Sequence, residues 1–382
     1  MPHTPSPSVA FVLAALNRAA ASGVSVRDAA AAVDDWHAVE RHAQHHDVVW
    51  WVAKALPDHG VPGDARARIA AAAHEQAIAS LAGARQLVSL LALLENAGVR
   101  TAAYKGPALA VDAHGDVGAR HFYDLDVFVA QRDRERASAA LSAAGYAVPD
   151  GMTAREEQFY ARWEGVAHRE VADGLPVELH WRCQAARYGG PGDPAGVLER
   201  TRACALGGGH VPVPAVEDLG VLLALHGAKH AWRLLMWVAD FSAVVSRTDF
   251  DWDRFAGRAA EWGVRRAARY GVLVGHDLTG ILVPRRQLEE ARGDAAAARL
   301  AAAIIARHRG DPAAADVGGD SEPRYDVQWL DGVRARMRYV TLAAALPTPR
   351  DRAAARLPDL LLPLAYPMRA WRLLRHAVGP RA

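Results

Sequence analysis

Between Tyr104 and Val129 the chain reads YKGPALAVDAHGDVGARHFYDLDVFV, and this stretch restricts the fold more than any other. Val99 to Tyr104 is a short apolar run of the kind that makes a buried strand. The Lys105-Gly106 turn ends it, and Pro107 suits the first position of a helix because the N–H it lacks would have no partner there. Leu125 to Val129 is then a second strand, with Asp124, Asp126 and Phe128 on one face and Leu125, Val127 and Val129 on the other. A strand, a glycine turn, a helix N-terminus and a strand bearing two carboxylates place phosphate-binding and cation-binding groups side by side. The lysine sharpens the reading. The chain has 45 Lys+Arg, yet its lysines are only Lys54, Lys105 and Lys229. Where arginine serves almost everywhere as the plain cation, a compact ammonium on a flexible stem points to specific chemistry, against the simpler reading of a surface charge.

Further along, Val166–Ala172 and Val177–Arg182 flank the turn Asp173-Gly174-Leu175-Pro176 and predict a hairpin. On its second arm Glu178, His180 and Arg182 share a face. If that arm neighbours the Asp strand, Glu178 completes a three-carboxylate cluster, the donor set a pair of Mg²⁺ ions uses while leaving positions open for phosphate oxygens. An Asp-x-Asp alone equally describes a strand running into a solvated acidic turn. The amides of Ala108 and Leu109 belong to a helix N-terminus that can face phosphate, with Lys105 and Gly106 before them. Arg120 is a second phosphate candidate or an ion-pair partner. Asp240, after an apolar run, is a cleft residue or half of a buried ion pair. His180 reads first as a satisfied core histidine and second as a group that positions an acceptor.

Residues 1–97 read as a helical region, with a long alanine-rich helix over Asp64–Glu95. Residues 98–213 form an α/β core, including a helix over Arg132–Ala144 closed by Gly145. Residues 214–382 return to helices, predicted at Glu217–Lys229, Trp232–Ser246, Trp252–Leu282 and Arg285–Arg309, with a Gly/Asp/Pro-rich linker over Gly310–Pro323. The formal charge of +2 gives no global attraction to nucleic acid, so stable nucleic-acid binding is not expected. Cys183 and Cys204 lack metal-ligand spacing, and no apolar run reaches the roughly 18–20 residues of a membrane span. With no basic segment ahead of the first apolar run, a cytoplasmic location is the expectation. His37, His42, His45 and His46 fit a packed or solvated helix face better than a zinc site. The closing segment mixes prolines with a basic apolar helix; packing on its own domain is the simpler reading, contact with a membrane surface the other.

The ordered set Y-K-G-P-A-L-A (Tyr104–Ala110), G-A-R-H-F-Y-D-L-D-V-F-V (Gly118–Val129), V-E-L-H-W (Val177–Trp181), H-G-A-K-H-A-W-R-L-L-M-W-V-A-D (His226–Asp240) and L-P-T-P-R-D (Leu346–Asp351) resembles the bacterial nucleotidyltransferase-like proteins of the polymerase-beta-type superfamily. The Lys-Gly turn with later Lys and Asp on helices is also similar to abortive-infection-type nucleotidyltransferase toxins. The resemblance implies an α+β fold, a nucleotidyltransferase-type mixed sheet core flanked by N-terminal and C-terminal helical domains. It implies Mg²⁺ or Mn²⁺ and a nucleoside triphosphate as co-substrate. It assigns metal binding to Asp124, Asp126 and Glu178, triphosphate binding to Lys105 and Gly106, and completion of the cleft to Lys229 and Asp240. Two positions depart from the pattern: Pro107 stands where the better-known turn has serine, and Glu178 where the third acid is commonly Asp. The acceptor stays open among a small molecule, a peptide tailored in a biosynthetic cluster, an RNA end and a protein side chain. A toxin acting on RNA or protein and an inactive nucleotide-binding scaffold are the alternatives.

Overall fold

The computed structural model describes residues 4–17, 25–149, 151–310, 314, 323–348, 351 and 357–378. Five helices come first: α1 Pro7–Leu16, α2 Val26–Ala31, α3 Trp36–His45, α4 Val49–Ala55 and α5 Gly63–Asn96. Ser6, Ser25 and Asp35 start α1, α2 and α3 by accepting hydrogen bonds from first-turn amides. The alanine-rich α5 matches its predicted limits. By length and composition it could cross a membrane, yet its Leu87, Leu90, Leu91 and Leu94 stripe is buried against the sheet.

That sheet has four strands, β1 Thr101–Tyr104, β2 Leu125–Val129, β3 Val166–Arg169 and β4 Val177–His180, in the order β1-β2-β4-β3. β1 and β2 run antiparallel, β3 and β4 form the expected antiparallel hairpin, and β2 pairs parallel with β4. In the parallel register Asp126 stands opposite Glu178, and Phe128 opposite His180. Alternation then divides the sheet. Leu125, Val127, Val129, Val177 and Leu179 pack beneath α5 in one apolar cluster, while Ala102, Tyr104 and Phe128 join another. The second cluster also contains Phe11, Trp36, Trp232 and Ile304, so helices from both ends of the chain share one core.

The helix α6 Gly106–His114 joins β1 to β2. After β2 come α7 Arg134–Ala143, entered through a 3₁₀ turn at Gln131–Asp133, and α8 Ala154–Glu164. α8 was not anticipated, although Thr153 and Glu156 form a capping box that marks its start in the sequence. After α9 Ala195–Glu199, a second hairpin that was not anticipated, β5 Arg202–Leu206 and β6 Gly209–Val213, turns at Gly207-Gly208, both at positive φ.

The remaining helices are α10 Val216–Lys229, α11 Leu235–Val245, α12 Trp252–Glu261, α13 Arg265–Thr279, α14 Arg285–Gly293, α15 Ala295–His308, α16 Pro323–Trp329, α17 Gly332–Ala345 and α18 Ala365–Val378. Three predicted helices change. The one expected from Trp232 begins at Leu235, because Ala231 and Trp232 take φ of 51° and 45°. The one expected over Trp252–Leu282 is two helices, parted where Gly263 adopts φ 67°. The one expected over Arg285–Arg309 breaks at Asp294, whose carboxylate leaves the helical path to accept from the amides of Ala296 and Ala297. Most of the expected linker over Gly310–Pro323 lies outside the described residues.

Candidate active site

The site forms where β1 ends and β2 begins, beside β4 and against α6 and α10. Tyr104 closes β1, and its hydroxyl donates to the carbonyl of Leu222 on α10 at 3.2 Å. The chain then turns through Lys105 at φ 65°, ψ −148°, followed by Gly106 at φ 53°. A side chain at the first of these dihedral pairs is rare, and it aims Lys105 back at the sheet. Its Nζ lies 3.0 Å from Oδ1 of Asp126. A β-carbon on Gly106 would come no nearer than 3.8 Å to the carbonyl oxygen of Asp124, so the positive φ rather than crowding is what favours glycine there. The amide of Leu109 is hydrogen-bonded to the Lys105 carbonyl at 3.1 Å. That corrects the expectation that Leu109 faces a phosphate: its N–H belongs to the helix ladder, and Gly106 and Ala108 supply the first-turn amides.

Asp126 is buried at the centre. Nε2 of His180 lies 2.9 Å from its Oδ1 and 3.1 Å from Oε2 of Glu178. On the neighbouring strand, Nδ1 of His168 lies 3.3 Å from Oε1 of Glu178. Asp126, Glu178 and His180 thus bring ligand atoms within 4.8 Å of one another, close enough to share an ion. Asp124 falls outside that set. It precedes the first residue of β2 and is half-buried; of the expected cluster of Asp124, Asp126 and Glu178, the parallel register sets Asp126 opposite Glu178, with Asp124 beside them. His180, read first from the sequence as a core histidine, stands between the two acids. Its parity with Glu178 in V-E-L-H was the available signal. His168 gave none, because its place opposite Glu178 depends on the hairpin register.

The electrostatics follow from this crowding. Burial pushes Asp124 up to about 6, with Asp126 adding to the shift and Lys105 opposing it. Burial would also raise Asp126, but Lys105 and His180 outweigh it and hold the carboxyl below its usual range. For Glu178 burial is likewise outweighed, by His168 and His180, and its carboxyl is held far below the ordinary value. Burial opposes a charged His180, yet its hydrogen bonds to Asp126 and Glu178 raise it to about 9. The pocket therefore gathers positive charge onto two acids, as a divalent ion would.

Of the two readings open for each, Arg120 and Asp240 take the ion pair. Nε of Arg120 lies 2.9 Å from Oδ2 of Asp240, and Nε2 of His114 lies 2.9 Å from Oδ1. Both members of the Arg120–Asp240 pair are buried, and the carboxylate is filled by α6 and the following loop. Asp240 is thus half of a buried ion pair behind the site. The loop before β2 is held further by Ser80 Oγ on the Arg120 carbonyl at 3.3 Å, and by His121 Nδ1 at 3.1 Å from Oδ1 of Asp47. Lys229, the last residue of α10, makes no ion pair among the described residues. Burial, then Arg187 and Lys105, lower its pKa, while Glu164 and Glu178 act the other way. Those five charges therefore lie around one region. Glu164 and Arg187 pair with each other and went unnoticed in the sequence.

The mixed sheet thus sets two carboxylates beside a lysine and the start of a helix. The family model described as "Uncharacterised nucleotidyltransferase" matches residues 33–280, and the chain belongs to that family. No curated protein matches it significantly. Among solved structures it is similar to the antibiotic-resistance factor ANT(2'')-Ia, at 14% identity over 58% of this chain and 96% of that one, with a TM-score of 0.28.

Proposed function

We propose that this nucleotidyltransferase moves a nucleoside monophosphate from a nucleoside triphosphate to an acceptor hydroxyl. The acceptor oxygen bonds to the α-phosphorus as its hydroxyl proton passes to water, the bond from that phosphorus to the bridging oxygen breaks, and pyrophosphate leaves. The observation that carries the reading is the register of β2 against β4, which sets Asp126 beside Glu178 and His180, with the Lys105 ammonium 3.0 Å from Asp126. Asp126 and Glu178 would hold the divalent ion, with His180 joining them once the ion displaces the proton it shares with the two acids, and Asp124 alongside. Two carboxylates suit Mg²⁺, and the imidazole nitrogen suits Mn²⁺ better. Such an ion polarises the phosphoryl oxygens and stabilises charge on the leaving pyrophosphate. Lys105 and the amides of Gly106 and Ala108 bind phosphate oxygens, and Lys229 faces the same region from α10. Arg120 and Asp240 hold the loop that carries Asp124.

The test is equilibrium binding of each nucleoside triphosphate with Mn²⁺ or Mg²⁺, followed by pyrophosphate release with candidate acceptors, for the wild type and Asp126→Asn. Metal-dependent binding in the wild type that falls ~10-fold or more in the variant, about 1.4 kcal/mol, supports the reading. Equal binding by the two proteins overturns it. One observation favours the inactive scaffold as a second reading: Asp126 is already engaged by Lys105 and His180. Nucleotide binding that is the same with and without metal, and no pyrophosphate release with any acceptor, would select it.

A further inference from the structure

The last fifty residues differ from the rest of the chain in charge and in exposed surface. Residues 332–382 hold ten arginines and two acidic residues, whereas the whole chain nets only +2, so the remainder is net negative. Of the 13 large apolar side chains exposed among the described residues, 9 lie between Val333 and Leu373. They fall into helical stripes. On α17, Val333, Met337 and Val340 follow an i, i+4, i+7 spacing, with Val333 74% and Met337 60% exposed, while Tyr339 is buried. Leading into and along α18, Leu364, Met368 and Trp371 repeat that spacing, with Trp371 65% exposed and Arg369 turned inward to Asp351. The two helices pack on each other. The segment is anchored to the body through Tyr366, whose hydroxyl accepts from Trp163 at 3.1 Å, and through Thr153 and Asp359 at 2.7 Å. Anchored inside and apolar outside, it leaves uncovered a patch of the kind soluble surfaces seldom carry without a partner.

We propose that this face docks on the surface of an anionic phospholipid bilayer. Charge decides the occupant. An excess of arginine on an otherwise acidic protein steers this end alone toward negative charge. Leucine, methionine and tryptophan stripes have no use on a nucleic-acid backbone but can sink to the headgroup–acyl boundary, where indole rings are favoured. Attraction of several arginines to anionic headgroups adds to the apolar insertion and weakens with salt.

Co-sedimentation of the full chain with vesicles tests this, using phosphatidylcholine alone and phosphatidylcholine with phosphatidylglycerol. Two variants go beside the wild type: Val333→Asp with Met337→Asp, and Met368→Asp with Trp371→Asp. Expected are at least tenfold tighter binding to the anionic vesicles than to the neutral ones, weakening with added salt, and at least tenfold loss in each variant. Urea midpoints should be unchanged, since all four positions are exposed. The proposal is overturned if no vesicles pellet the protein, if neutral and anionic vesicles pellet it equally, or if both variants bind like the wild type. It is also overturned if sedimentation velocity shows a dimer that the substitutions dissociate while vesicles go unbound, or if single-stranded RNA is bound and vesicles are not.

Discussion

Replacing Asp240 by alanine separates its place behind the site from the cleft role its sequence context suggested. Asp240 is 1% exposed and Arg120 5% exposed, and their side chains meet at 2.9 Å. Burial alone would raise the Asp240 carboxyl, yet Arg120 and His114 hold it below its ordinary value, so it is charged and already satisfied. Removing it strands a guanidinium in the interior, a change that costs about 3–5 kcal/mol when one partner of a buried pair is lost. The lost His114 contact adds about 1 kcal/mol. The control is Arg120→Met with Asp240→Leu. Removing both charges strands no guanidinium and leaves only His114 Nε2 without its Asp240 acceptor, so the double variant should recover to within about 2 kcal/mol of the wild type. Urea unfolding followed by tryptophan fluorescence measures both, with an unchanged slope certifying that the midpoints report stability. A loss below about 1 kcal/mol in Asp240→Ala, together with a tenfold fall in nucleotide affinity, would refute the strut and return Asp240 to the cleft.

Acid should loosen the join between α3 and α15. His42, His46 and His308 are held neutral chiefly by burial, to about 4, about 2 and about 3, whereas unfolded they protonate near 6.5. Between those values the unfolded chain binds more protons, so stability falls as pH drops below about 6.5, by up to about 2 kcal/mol per histidine at pH 5. His180, raised to about 9, acts in the opposite sense only above about 6.5, whereas Asp124, raised to about 6, gains stability below that value and offsets about 1.4 kcal/mol of the loss at pH 5. Urea midpoints from pH 7.5 to 5 check this, and His46→Leu should flatten the slope; a flat wild-type profile would contradict it. Arginine in place of Lys105 or Lys229 should lower nucleotide affinity ~10-fold or more, because a planar guanidinium does not fit a confined ammonium site. Lys54→Arg is the control, and three wild-type-like titrations would reduce the scarcity of lysine to a feature of composition.

The parts of the site legible in the sequence were those that local geometry dictates. Strand alternation gave the shared face of Glu178 and His180, and Gly106-Pro107 gave the helix start, because both depend on neighbours a few residues away. The partner of Asp126 was less legible. Two arms of a hairpin could each have bordered β2, and only the parallel pairing of β4 puts Glu178 opposite Asp126. The Arg120–Asp240 pair joins residues 120 apart in the chain, so local pattern left both readings of Asp240 standing. Helix ends were lost where the helical pattern resumes past the break. Gly293-Asp294 is a stop followed by a cap, but the alanine-rich run beyond it continues the helical pattern and hides the break. Thr153 and Glu156 were readable as a cap, and α8 was missed because no strong apolar period follows them.

The lysine at the turn holds a conformation that its own side chain disfavours, and this can be measured apart from its charge. Lys105 lies at φ 65°, ψ −148°, at the edge of a region occupied almost wholly by glycine, and Gly106 follows at φ 53°. The turn is fixed from both sides: Tyr104 is tied to the Leu222 carbonyl, and the Lys105 carbonyl accepts from Leu109. Keeping a β-carbon there costs about 1–3 kcal/mol. Lys105→Ala and Lys105→Gly both remove the ammonium and leave Asp126 with the same loss, so their difference reports the backbone alone. At an ordinary structured position glycine is the worse choice by about 0.5–1 kcal/mol. Here the order should reverse, with Lys105→Gly the more stable by about 1–2 kcal/mol in urea unfolding, while neither variant retains wild-type nucleotide affinity. If alanine proves as stable as glycine, the turn relaxes without cost, and the aim of Lys105 at Asp126 comes from its flexible stem rather than from the strained backbone beneath it.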